Sequence, residues 1–231
     1  SVDNVWVQTP ISVSQENTPS SIKFVYYFEG SLNYARSFGK HNVSATAVYN
    51  QRQVNSNASF PTKNQAIVGR ATYNYNKKYL LEANAGFTGS EQFAPKNRYG
   101  FFPSVAVGYT PSKEKFWKEA MPWWSTMKFR VSHGLVGSDN GAANFLYYTA
   151  YDLVSYTDQG DHARKHYAEG KAANEGARWE TARKTDIGIE MGWFKNALTF
   201  NVDLFDEYRY DMLITPVITP LVGIDFKDTN T

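Results

Sequence analysis

Alternation of apolar and polar residues is the dominant signal along this chain, and the three-to-four-residue spacing of a surface helix is nearly absent. The clearest instance is the stretch YNYNKKYLLEANAGF, residues 73–87, with the strand that precedes it. With Asn76, Lys77 and Lys78 as a turn, Tyr75 faces Tyr79, Tyr73 faces Leu81, Ala71 faces Ala83, Gly69 faces Ala85 and Ile67 faces Phe87. Successive side chains of a strand point to opposite faces, so all of these share one side. The other side sets Asn74 against Leu80, Thr72 against Glu82, Arg70 against Asn84 and Val68 against Gly86, and is mostly polar. The same sorting recurs downstream. Val105, Val107 and Tyr109 alternate with Ser104, Ala106 and Gly108, and Met127, Phe129 and Val131 alternate with Lys128, Arg130 and Ser132. Ile187, Ile189, Met191 and Trp193 alternate with Asp186, Gly188, Glu190 and Gly192. Leu198, Phe200, Val202 and Leu204 alternate with Thr199, Asn201, Asp203 and Phe205, the last of which breaks the pattern.

The pattern predicts an all-β chain of about eight antiparallel strands, near 22–38, 43–52, 65–76, 79–88, 99–110, 124–136, 179–193 and 198–209. Each matches or exceeds the roughly 9–11 residues with which a tilted strand crosses a bilayer. Strands of soluble proteins average about 5–6 residues. Connections alternate in length. Short ones fall at 38–42, 76–78 and 194–197, and long ones at roughly 53–64, 89–98 and 137–178. A brief helix is expected at about 112–121, capped by Ser112 and ended by Pro122, within a larger connection on the short side. Short turns on one side with long loops on the other is the plan of an up-and-down outer-membrane barrel.

Aromatic positions sharpen this picture. Phe38, Tyr75, Tyr79, Tyr109, Trp123, Trp124, Trp193 and Phe194 sit beside the short connections, and Phe24, Tyr26, Tyr49, Phe87, Tyr99 and Phe101 sit toward the opposite ends. Amphipathic rings favour the headgroup level, so two such rows are expected of a membrane barrel. A soluble β-sandwich also alternates, but it concentrates bulk at strand centres. Here the centres hold Gly69, Ala71, Ala83 and Ala85.

Composition adds exclusions. The 231 residues include 24 basic and 22 acidic side chains, a net charge of +2 that offers no electrostatic footprint for nucleic acid. Cysteine is absent, which excludes disulfides and thiolate zinc sites. No apolar run approaches the ~18 residues of a transmembrane helix. The opening SVDNVWVQTP lacks the basic start and apolar stretch of a signal peptide. A mean hydropathy of −0.50 is compatible with a membrane barrel, whose strands are only half apolar.

Several stretches carry a family resemblance: RATYNYNKKYLLEANAGFTGSEQFAPKNRYGFFPSVAVGYTPSKEKFW (70–117), MKFRVSHGLVGSDN (127–140), RWETARKTDIGIEMGWFKNALTFNVDLFDEYRYDML (178–213) and PLVG (220–223). In order, spacing and wording they resemble the barrel of the SusC/RagA-type TonB-dependent transporters of the Bacteroidetes outer membrane. The resemblance covers about residues 65–231. It implies a partial barrel, a wall segment of about eight strands from a barrel of about 22 that encloses a plug. It further implies TonB-dependent import of a large nutrient, oligosaccharide or peptide. The implied partners are a SusD-like surface lipoprotein, TonB-ExbB-ExbD acting through the plug region, and the bilayer with its lipopolysaccharide. Plug and TonB box are not found in these residues, so the whole of 1–231 is expected to be barrel domain, with an extracellular loop at 137–178 and a periplasmic turn helix at 112–121. The alternative is a self-contained small outer-membrane barrel with a structural or adhesive role.

Candidate chemistry is sparse, and neither a catalytic residue nor a cofactor is expected. His162 and His166 have helical i,i+4 spacing near Asp158 and Asp161, but no metal motif supports them and the segment has the composition of a polar loop. GLVGSDNGAANF lacks the ending of a phosphate-binding loop. No serine has a paired base, so an enzyme is not expected. Two groups remain as candidate sites. Arg70, Glu82, Asn84, Lys128, Arg130, Asp186 and Glu190 fall on the polar, lumen-facing side, where they could line a solute path or meet a plug. Phe145, Tyr147, Tyr148, Tyr151 and Tyr156 fall in the long loop, where aromatic rings suit ligand or partner contact.

Overall fold

The computed structural model describes residues 4–8, 11–18, 21–56, 59–140, 145–157, 163–170, 172–214 and 229–230. Its strands are β1 (Asn4–Gln8), β2 (Ile11–Thr18), β3 (Ser21–Phe38), β4 (His41–Ser56), β5 (Ser59–Tyr75), β6 (Tyr79–Ser90), β7 (Tyr99–Tyr109), β8 (Trp124–Ser138), β9 (Tyr151–Thr157), β10 (Ala163–Glu169), β11 (Glu180–Trp193), β12 (Leu198–Tyr210), β13 (Leu213–Ile214) and β14 (Thr229–Asn230). One short helix, α1, spans Lys115–Ala120. The chain divides into two compact units: 1–89 with 100–137 and 182–209, and 90–99 with 138–181 and 210–231.

The first unit is a meander. Strands β3, β4, β5, β6, β7, β8, β11 and β12 are neighbours in that order, which matches the eight strands expected from alternation. One further strand's worth of chain lies beside β3. β1 and β2 both pair with it antiparallel and keep one register across the interval, with Gln8 opposite Ser31 and Ile11 opposite Phe28.

Two expectations are corrected here. The long connection read at 53–64 is mostly strand, because β4 runs to Ser56, β5 starts at Ser59, and Gln53 pairs with Lys63. Its outward positions are polar, so the apolar signal stops before the strand does. The helix read at 112–121 is a 3-10 turn at Pro111–Lys113 followed by α1, and Ser112 does not cap it. The buried Ser112 hydroxyl donates instead to the Met127 carbonyl, 3.2 Å away.

Tight turns at the short-connection end hydrogen-bond to one another. Gly39 takes the left-handed conformation (φ 60°) in the two-residue link between β3 and β4, where a side chain would be strained. Asn76 and Lys77 are also left-handed (φ 50° and 56°), and the Lys78 amide donates to the Tyr75 carbonyl at 2.9 Å. The Asn76 amide donates to the Lys40 carbonyl (2.6 Å), the Thr110 amide to Lys78 (2.8 Å) and the Phe194 amide to Trp123 (2.9 Å), tying each turn to its neighbour. Lys78 also forms an ion pair with Glu114 at 2.7 Å. That carboxylate, accepting a hydrogen bond, raises the Lys78 ammonium above its ordinary pKa of 10.5.

Cross-strand register places the apolar side chains on one face. Tyr34, Ala45 and Ala71 form one row, Leu32, Ala47 and Gly69 the next, and Gly30, Tyr49 and Ile67 a third. Val105, Val107 and Tyr109 stand opposite His133, Val131 and Phe129. Among the described residues this face is largely open: Val107, near the end of β7, is 53% exposed and Leu198, at the start of β12, 58%, although Met127 is buried. Burying each such side chain is worth about 1.5–3 kcal/mol, so a sheet that leaves many of them uncovered requires an apolar surrounding. Aromatic rings border the band at the short-turn end. Tyr79 lies 6.4 Å from Tyr75 and stacks on Tyr109 at 5.2 Å, and Trp124 lies 5.7 Å from Trp193.

The second unit is built around buried apolar side chains. Phe93, Leu146 and Ala177 are each 0% exposed, and the Phe93 ring lies 5.4 Å from that of Trp179. Backbone and side-chain bonds hold the loops together: the Leu146 amide to the Gln92 carbonyl (3.2 Å), the Asn174 amide to Leu146 (2.8 Å), and the Trp179 indole to Arg98 (3.1 Å). β9 and β10 form a two-stranded hairpin in the segment read as a loop, with Leu153 opposite Tyr167.

Candidate functional site on the polar face

The face opposite the apolar band is hydrogen-bonded from strand to strand. Between β3, β4 and β5 three neutral pairs stand opposite one another: Asn33 with Thr46 (2.9 Å), Ser44 with Thr72 (2.6 Å) and Asn42 with Asn74 (3.0 Å). Further along the sheet they become charged. Arg70 donates to Glu82 at 2.8 Å, and Asn84 donates to the same carboxylate (3.0 Å) and to Ser104 (3.3 Å). Lys128 reaches Glu190 at 3.0 Å and the Arg130 Nε lies 3.6 Å from it. Arg130 continues across β11 to Asp203 on β12. That path depends on Gly188, because a Cβ there would stand 2.3 Å from Arg130 Nε and 2.6 Å from Asp203 Oδ1.

Six of the seven lumen-facing residues expected from alternation are thus joined: Arg70, Glu82 and Asn84 in one group, Lys128, Arg130 and Glu190 in another. Asp186 lies on the same strand as Glu190 but bonds to none of the charged residues above. Alternation places Asp203 on this face but gives no sign of its bond to Arg130, which spans an intervening strand. Lys184, which pairs with Glu207 at 3.1 Å, was also missed. Thr72, Asn74, Leu80, Glu82, Lys128 and Arg130 line a concavity of ≈ 320 Å³. Half-exposed pairs of this kind contribute about 0–1 kcal/mol each, so the ladder keeps a wall wet and charged more than it stabilises it.

The aromatic loop residues divide. Phe145, Tyr147 and Tyr148 cluster, with ring centroids 6.2 Å, 6.3 Å and 4.4 Å apart. Burial, then the adjacent Tyr148, push the Tyr147 phenol above its ordinary pKa of 10.0. Tyr151 is apart from them, opposite Glu169 on the hairpin, and the Tyr156 side chain lies outside the described residues. His166 is on a strand, so helical spacing does not apply to it, and His162, Asp158 and Asp161 lie outside the described residues.

An uncovered apolar face backed by a hydrated, charge-laddered face is the section of a membrane barrel wall. The profile of the family described as TonB dependent receptor-like, beta-barrel matches residues 2–230. The chain belongs to that family. It is a segment of an outer-membrane β-barrel. Among curated relatives, TonB-dependent receptor P3 of Formosa agariphila is 26% identical over 87% of this chain and 23% of its own length. TonB-dependent receptor SusC of Bacteroides thetaiotaomicron is 28% identical over 73% of this chain and 17% of its own length. The chain therefore spans less than a quarter of either relative. The RagAB peptide transporter superposes with a TM-score of 0.76 at 19% identity, over 90% of this chain and 26% of that one. PirA, a siderophore receptor of Pseudomonas aeruginosa, gives 0.61 at 14% identity, over 99% and 42%.

Proposed function

We propose that this barrel segment forms part of the wall of a TonB-dependent importer for a large nutrient, an oligosaccharide or a peptide. The observation that carries the reading is the pairing of a lipid-type face with a charged ladder on one meander. That combination suits a barrel whose interior passes hydrated cargo beside a plug. Likeness to a peptide transporter supports the peptide class, and the oligosaccharide class and a SusD-like surface lipoprotein as partner are what the SusC/RagA-type resemblance implies. The wall performs no bond chemistry. Its contribution is passive, and the energy for transport enters through TonB-ExbB-ExbD acting on a plug.

Uptake by the full-length protein tests this. Expressed in a host lacking its own importer, it should support growth on oligosaccharides or on peptides, and growth should stop when TonB is removed. Undiminished uptake without TonB contradicts the proposal.

A further inference from the structure

The cations of the charged ladder are matched by acids: Arg70, Lys128, Arg130, Lys184 and Arg209 each meet a carboxylate. Arg52 differs from them. It stands on the same polar face, on β4 opposite Asn64 of β5, and Asn64 lies about 20 Å along the strand from Arg70 at about 3.3 Å per residue. That distance is more than twice the ~8 Å screening length at physiological salt, so the acids of the ladder do not compensate the charge. Arg52 is exposed, and its guanidinium has no ion pair or hydrogen bond among the described residues. An acid does stand within reach. Glu29 is diagonal to Arg52 across the β3–β4 pair, where such neighbours are about 7–8 Å apart and long side chains can meet. Glu29 is engaged elsewhere, because Tyr27, directly opposite Arg52, donates its hydroxyl to that carboxylate. The guanidinium fork is left open toward the space that this face borders.

The surroundings of Arg52 suit a peptide. Asn50, two residues along β4 on the same face, carries an amide that both donates and accepts, as a peptide bond requires. Nearer the short turns, Val48 stands opposite Val68, which is 39% exposed on a face that is mostly polar. A guanidinium takes a carboxylate through two parallel hydrogen bonds, and an open valine pair accommodates an aliphatic side chain. A saccharide favours open ring faces, whereas the ring beside Arg52 is Tyr27, half-buried and hydrogen-bonded to Glu29. We propose that Arg52, with Asn50 and the Val48–Val68 row, binds a carboxylate of a peptide cargo at the end of the inner wall away from the short turns. The proposal deepens the import reading and rests on it for the peptide's being cargo.

Binding is measured by calorimetry on the full-length protein in detergent without TonB, so its outcome is separate from that of TonB-dependent growth. The probes are a short aliphatic peptide with a free C-terminus and a glutamate, its C-terminal amide, and that amide with glutamine in place of the glutamate. The free peptide should bind at least about tenfold more tightly than the fully neutral one, the difference expected of a charge-assisted hydrogen-bonded pair. The intermediate probe distinguishes the terminal carboxylate from the side-chain one. Arg52→Gln should abolish the preference and leave the affinity for the neutral peptide unchanged. Arg52→Lys, which keeps the charge without the fork, should retain only part of it. Lys63→Gln removes a positive charge from the other face of β5 and should change nothing. Equal binding of charged and neutral peptides, or a preference that survives Arg52→Gln, would overturn the proposal. So would an equal loss in Lys63→Gln, which would mark a general effect of net charge. Tighter binding of tetragalacturonate than of the free peptide would overturn it in favour of an acidic-saccharide site.

Discussion

Phe93 and Val107 belong to the same chain and live by opposite rules. Phe93 is 0% exposed, held in the second unit beside Trp179 and among loops joined by Leu146, Asn174 and Arg98. Val107 lies near the Tyr109 end of β7 and is 53% exposed, on a face that the described residues leave largely open. One unit makes its apolar environment from its own residues, as a water-soluble fold does. The other depends on a solvent of low polarity for the same purpose. Strand alternation can specify the second arrangement because the bilayer supplies the missing partner, leaving only the face of each residue to be encoded.

The largest effect that separates the two units is expected at Phe93. Phe93→Ala should cost about 3–5 kcal/mol of local stability by opening a cavity. Limited proteolysis of the full-length protein should then cut within 145–178 while the sheet keeps its heat-modifiable gel mobility. Loss of the sheet as well would mean the two units are not separable in this way. Ala83→Arg comes next, at about 2–4 kcal/mol if the side chain lies near the bilayer midplane. Denaturant unfolding in lipid vesicles measures it, and Asn84→Arg on the opposite face should cost well under half as much. Smaller still is the coupling between Arg130 and Asp203. A double-mutant cycle with Arg130→Met and Asp203→Asn should return about 1 kcal/mol or less, because both groups are half exposed. A larger value would mean that the ladder is dry.

The smallest expected effect concerns the turns. Lys78 has its pKa raised in the folded state, first by the hydrogen bond to Glu114. Its contribution is therefore fully present below the unfolded value of 10.5 and is lost as pH rises through the raised folded value. The difference in melting temperature between wild type and Lys78→Met should be constant from neutral pH to about 10 and shrink above it. A difference that grows with pH would contradict the assigned partner.

How much of this was legible depends on whether a residue's role is encoded locally. The eight strands and their two faces follow from a period of two, which also puts Arg70, Glu82, Lys128 and Glu190 on one side; the pairing of Arg70 with Glu82 and of Lys128 with Glu190 is seen only in the structure. Alternation places Asp203 on the correct face, but its bond to Arg130 crosses β11 and requires Gly188 to lack a side chain, a relation no period encodes. The ends of β4 and β5 look like loop in the sequence because Gln53, Asn55 and Lys63 carry no apolar signal, although Gln53 pairs with Lys63 and Asn55 with Phe24. The core of the second unit was illegible for a different reason. Phe93, Leu146 and Trp179 lie far apart in sequence, in segments without periodicity, and meet only through the loops that connect the strands. Ser112 had the composition of a cap, yet its hydroxyl found a carbonyl of β8 instead.

The central claim is that alternate residues of one strand face lipid and the barrel interior. Spin labels at Ala83 and at Asn84 of the full-length protein, reconstituted in a bilayer, test it most directly. The label at Ala83 should collide often with oxygen and rarely with a water-soluble nickel chelate, and the label at Asn84 should show the reverse. Equal oxygen accessibility at the two positions, or a higher value at Asn84, would contradict the assignment of the two faces.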